Sequence, residues 1–156
     1  RAVMNLADIT QISQTLGSAA VVASLIFVGV QIRQNTKTAR AVSHHAVSEA
    51  LNRVNLVWAR DSEVTRIWLS GMSDRGALTP EDRWRFDSMV RAYLHVCETM
   101  YTQARLGAGD YGIVMAEENG IKHVFASLGV RDWWSENPFG FSLEFRKYLE
   151  KLTNPR

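Results

Sequence analysis

Cysteine is nearly absent: Cys97 is the single one in 156 residues. An internal disulfide is therefore excluded, which fits a reducing compartment. Proline is scarce, and Pro80, Pro138 and Pro155 all fall at segment edges. Excess charge of one sign is also lacking, since 18 Lys and Arg face 16 Asp and Glu for a net charge of +2. That balance argues against a dedicated nucleic-acid surface. There is no internal repeat, no low-complexity tract and no clear strand pattern. The chemical signatures are missing as well. Without Gly-x-Ser-x-Gly there is no nucleophile elbow. A phosphate loop needs Gly-Lys-Ser/Thr, which does not occur. Gly107-Ala108-Gly109 follows a predicted helix, whereas a dinucleotide fingerprint follows a strand. These glycines are helix punctuation.

What is present is one long hydrophobic run, residues 16–32, LGSAAVVASLIFVGVQI. A helix on the surface of a soluble domain keeps one polar face. Between Ala19 and Val30 the only polar side chain is Ser24, and its hydroxyl can bond its own helix backbone. No face is left for water. The run sits at the short end of the roughly 17 to 25 residues that a membrane span needs. Ile9 and Ile12 extend it backwards. On an insertion scale its nine large aliphatic and aromatic side chains contribute roughly −3 to −5 kcal/mol. Gly17, Ser18, Gly29 and Gln31 offset part of that. A buried core helix and a signal peptide are the rival assignments. A signal peptide has its positive charge before the apolar run and a small-x-small site after it; here the charges follow.

Arg33, Lys37 and Arg40 come directly after the run, on one side of the continuing helix. Cations flanking a span stay on the cytoplasmic side, and each contributes about 1 kcal/mol near anionic headgroups. The near side has only Arg1, and Met4 resembles a natural start. The sequence thus predicts an N-terminal segment and transmembrane anchor over residues 1–32, N-terminus outside. Residues 33–156 form a cytoplasmic helical domain. Ala19 with Ala23, and Ala20 with Ser24, are small residues four apart that would let a second helix approach.

The class is all-α: one N-terminal transmembrane helix continuing into a bundle of about four to six helices. Asn5 is a candidate N-cap, with Asp8 near the positive helix end. From residue 30 to 70 there is no Gly or Pro, so the helix continues to about Arg60, with Gln34-Asn35-Thr36 as the candidate kink. Asp61 or Ser62 caps a short helix that Gly71 and residues 73–76 end. Thr79-Pro80-Glu81-Asp82 is a strong start signal. The helix it opens carries Phe86, Val90, Tyr93, Leu94, Cys97 and Met100 on one stripe and is the candidate central element. Gly107 and Gly109 stop it. Asp110 opens the next helix and Gly129 closes it. One or two further turns carry Trp133 and Trp134. Ser142 caps the last helix, with Phe141 placed to pack back as a staple.

Few constellations carry chemistry. His95 and Glu98 share a helix side, but carboxylate-bridged metal bundles use Glu-x-x-His twice. Here the order is reversed and occurs once. His44 and His45 point about 100° apart on a helix and cannot jointly chelate. Glu117, Glu118 and His123 lack the paired-histidine zinc spacing. Trp133-Trp134 is the most unusual cluster. Neighbours on a helix cannot share one face, so one ring reaches the periphery. There it covers residues 137–141 or contacts a partner, where Trp is enriched.

Two markers, Gln31-Ile32-Arg33-Gln34-Asn35 and Gly129-x-Arg131-x-Trp133-Trp134, anchor a resemblance that spans nearly the whole chain. The chain resembles a broad set of uncharacterised bacterial proteins with an N-terminal transmembrane helix and a small helical domain. The resemblance implies the architecture and a bacterial inner-membrane location, and no activity. The expectation is a single-pass, non-enzymatic interaction or scaffold module. Its partners are the lipid bilayer and a protein partner or second copy, with no nucleic acid and no cofactor. The competing expectation is a membrane-bound enzyme, or a small-ligand or metal sensor, with His95 and Glu98 converging on Glu117, Glu118 or His123 around a cavity. A third is a soluble bundle with the apolar run at its centre.

Overall fold

The computed structural model describes residues 5–154. Expectations resting on Arg1, Met4 and Pro155, and on the side chains of Asp8 and Ile9, lie outside the described residues. Six helices follow in order: α1 (Leu6–Arg60), α2 (Ser62–Ser73), α3 (Pro80–Arg105), α4 (Tyr111–Ala126), α5 (Leu128–Glu136) and α6 (Leu143–Thr153). Two 3-10 turns, Arg75–Ala77 and Pro138–Gly140, join neighbouring helices. There is no strand among the described residues, so the all-α class is observed. The chain divides into two compact units between Ala39 and Arg40.

The first unit is the N-terminal part of α1. Residues 10–39 are exposed throughout. The only two hydroxyls in residues 16–32 bond within the helix: Ser18 Oγ donates to the Gln14 carbonyl at 2.9 Å, and Ser24 Oγ to that of Ala20 at 2.8 Å. Neither needs a partner outside the helix. Helix also runs unbroken through Gln34-Asn35-Thr36, the candidate kink. No Pro or Gly interrupts the ladder there; the Thr36 hydroxyl donates back to the Ile32 carbonyl at 2.9 Å, a bond that can bend a helix without breaking it.

In the second unit α3 is central, as its start signal and apolar stripe predict. Thr79 Oγ1 accepts from the Asp82 N–H at 3.2 Å, and Pro80 stands in the first turn. Phe86, Val90, Leu94 and Cys97 have no exposed surface. Around them pack Ile67 and Trp68 of α2, Ile121 and Phe125 of α4, Trp133 of α5, and Phe145 and Leu149 of α6. Leu51, Val54 and Trp58, late in α1, join the same core; Trp58 stacks on Trp68 with ring centroids 4.3 Å apart. Asp61, Asp110 and Ser142 cap α2, α4 and α6. Gly107 stops α3 with φ +75°, a conformation that glycine adopts without strain. Phe141 is buried and packs on Phe145, one position short of the residue a hydrophobic staple would use, which here is Arg146. Burial pushes the Cys97 thiol up to about 12, so Cys97 is inert packing at neutral pH.

Two glycines differ from the sequence expectation: Gly71 does not end α2, which runs on to Ser73, and the second difference bears on the fold. Gly129 does not close α4. Ser127 ends α4 and caps α5, accepting from the Val130 N–H at 3.4 Å. Gly129 lies buried inside α5. A Cβ placed there would stand 1.7 Å from the Gly71 carbonyl oxygen in α2. A Cβ on Gly71 would stand 2.3 Å from the Phe86 ring. Two helices touch backbone to backbone, and the glycines make that crossing possible. Beside it lies Arg75, 3 % exposed. Its guanidinium donates to Asp87 at 2.7 and 2.9 Å, to Asp132 at 2.8 Å and to Glu136 at 3.0 Å. One planar donor set thus ties the turn after α2 to both α3 and α5.

Gly129→Ala should lower the unfolding free energy of the helical unit by about 3 kcal/mol, because an inserted methyl forces the helices apart. Gly29→Ala, whose added methyl meets nothing within 4 Å, should leave it unchanged. Denaturant melts of both variants check this; equal midpoints would refute the close crossing.

Candidate functional site

The first candidate is the apolar run and the cations behind it. One helix, Thr10–Arg60, is long and apolar enough to cross a membrane, and none of its apolar stretch is buried. A core helix would have lost its surface to neighbours. Instead Leu25 is 67 % and Phe27 61 % exposed. Arg33 and Lys37 are exposed on the same helix. Arg40, also exposed, donates its Nε–H to the Gly107 carbonyl at 3.1 Å. That contact meets an unsatisfied carbonyl just past the end of α3, a role that spacing alone did not reveal.

The tryptophan pair separates as helical geometry requires. Trp133 is fully buried, with its ring in edge contact with Phe141 and Arg91 poised 5.5 Å above it. A ring without exposed surface cannot meet a partner, so the contact expected of Trp133 is made inside the fold. Trp134 is the member that reaches the periphery. It packs on Phe125 and Phe141 with ring centroids 5.6 and 5.2 Å away. Both rings pack on Phe141, at the end of the 137–141 segment, while Phe139 within it stays exposed. Trp84 was not singled out from the sequence, yet it stands 71 % exposed on α3. Its position off the apolar stripe, next to Arg83 and Arg85, was the available signal.

His95 and Glu98 serve the start of α6. Glu98 accepts the Ser142 backbone N–H at 2.7 Å and lies 3.4 Å from His95 Nδ1. His95 in turn packs over the Phe141 ring at 4.7 Å. The acids expected to converge with them are engaged elsewhere. Glu117 accepts from the Tyr93 hydroxyl at 2.8 Å, and Glu118 from the Tyr148 hydroxyl at 3.3 Å. Burial above all raises both phenol pKa values, and these neighbouring carboxylates add to it. Among the described residues no three His, Cys, Asp or Glu side chains gather closely enough to hold a metal ion. Each carboxylate instead satisfies one donor that the fold would otherwise leave unpaired.

A scan against protein-family models, a search of curated proteins and a search of solved structures return no match to this chain. The architecture implied by the resemblance, one long apolar helix near the N-terminus with a helical domain, stands on the structure alone.

Glu98→Gln should lower the unfolding free energy by about 1–2 kcal/mol, since a charged acceptor at a helix start becomes a neutral one. Metal content by elemental analysis should be unaffected. Loss of a stoichiometric metal on this substitution, with unchanged stability, would contradict the structural role.

Proposed function

We propose that the protein is a single-pass anchored module of the bacterial inner membrane. Its N-terminus faces outside, and its helical domain is cytoplasmic and acts in protein interaction or scaffolding rather than catalysis. The observation that carries the proposal is the all-round exposure of an apolar run whose only two hydroxyls are satisfied within the helix. In water that surface has a standing cost of about 25 cal/mol per Å². In hydrocarbon the cost vanishes, and every backbone group stays paired within the helix. The cations Arg33, Lys37 and Arg40 support the orientation. The exposed Trp84 supports an interaction role, because Trp concentrates at contact surfaces. The partner is a second protein or another copy of this chain. The engagement of His95 and Glu98 at α6 weighs against the sensor alternative.

Magnitudes make the proposal testable. An Arg near the middle of a span costs about 2.5–3.5 kcal/mol, so two exceed the roughly 3 to 5 kcal/mol that favours insertion. The full chain should remain in the membrane pellet after alkaline carbonate extraction, and the Leu25→Arg/Val28→Arg double variant should not. Complete recovery of the unaltered chain in a detergent-free supernatant would defeat the proposal.

A further inference from the structure

A cleft of about 560 Å³ opens between α4, α5 and α6, away from every residue discussed as a site above except Trp134. That volume lies within the range of small-molecule sites, about 300–1,000 Å³. Its lining combines two chemistries. Trp134 and Phe125, edge to face at 5.6 Å, supply an aromatic wall. Lys122, Arg131 and Arg146 supply three cations against one carboxylate, Glu150. Elsewhere in the helical unit Arg53, Arg66, Arg75, Arg83, Arg85 and Arg105 are each paired with an acid, while Arg40, Arg60, Arg91, Lys147 and Lys151 form no ion pair with a described residue but do not gather in one cleft. In the cleft none of the four charged groups forms an ion pair with a described residue, Glu150 included.

Arg146 sharpens the point. Its guanidinium sits 5.4 Å from the Phe139 ring centroid, and its Nε is buried with no hydrogen-bond partner. A buried orphan donor on a charged group is costly, by about 1–3 kcal/mol or more. Guanidinium groups match carboxylate and phosphate oxygens in a planar fork. Unpaired cations beside an aromatic wall are complementary to an anionic group attached to a planar ring.

We infer that this cleft binds a small aromatic anion, its phosphate or carboxylate held by Arg131, Arg146 and Lys122 and its ring against Trp134. The inference does not depend on the membrane proposal, because the cleft lies wholly within the second unit.

The test uses the detergent-solubilised full chain and 1-naphthyl phosphate as probe, with binding read by calorimetry and by quenching of tryptophan fluorescence. One saturable site is expected. Arg131→Gln and Arg146→Gln should each weaken it about tenfold, the loss expected for one charge-assisted hydrogen bond. Lys122→Gln, at an exposed position with no partner to lose, serves as the variant least able to disturb folding and should weaken it in the same sense. Neutral 1-naphthol and ring-less glycerol phosphate should both bind at least tenfold more weakly. Absence of saturable naphthyl phosphate binding overturns the inference. So does binding that all three cation variants leave intact, or glycerol phosphate binding as tightly as the aromatic probe.

Discussion

An apolar helical surface has to be covered by something, and in this protein the described chain does not cover it. Residues 16–32 expose Leu, Val, Ile and Phe in every direction, and the hydroxyls among them face inward to their own backbone. That single constraint sets the layout of the whole sequence. The first unit has no core of its own and makes no demand for one. The second unit has its own core, built on α3. The helix is long and apolar enough to cross a membrane, and hydrocarbon is the environment we propose for it.

Inside the second unit, one crossing and one cation tie α2, α3 and α5 together beside the core. Glycines at positions 71 and 129 let α2 and α5 approach to backbone contact, which brings the turn after α2 against the side of α5. Arg75 then links that turn to Asp87, Asp132 and Glu136. The three carboxylates keep part of their surface in water, while the guanidinium does not. The arrangement therefore avoids the full desolvation cost of a buried pair. The geometry of the cleft bounded by α4, α5 and α6 is set by the same packing, since Trp133 and Phe125 anchor two of its walls in the core.

Local signals were legible in the sequence, and tertiary ones were not. Thr79-Pro80, Asp61, Asp110 and Ser142 mark helix starts because a cap bonds within three residues of itself. The stripe from Phe86 to Met100 is legible because burial repeats at the helical period. Gly129 was not, because a glycine that ends a helix and a glycine that admits another backbone look alike until the second helix is in place. Arg75 reads as one more polar residue in a turn; its three acids are 12, 57 and 61 positions away. His95 and Glu98 were correctly placed on one helix side, but their partners, Ser142 and Phe141, come from a distant segment. The cleft was invisible for the same reason, since its cations come from three helices. The tryptophan pair lies between these cases. Helical geometry alone says that the two rings part, and only packing says that Trp133 goes inward.

The central claim is that residues 16–32 have no wet side. Spin labels placed one at a time from position 21 to 28 in the full chain, reconstituted in lipid vesicles, test it most directly. Cys97→Ser removes the only native thiol. The account predicts that every label collides more with dissolved oxygen than with a water-soluble nickel complex, with no 3.6-residue alternation. Labels that alternate between wet and dry at that period, or that are shielded from both reagents, would contradict it.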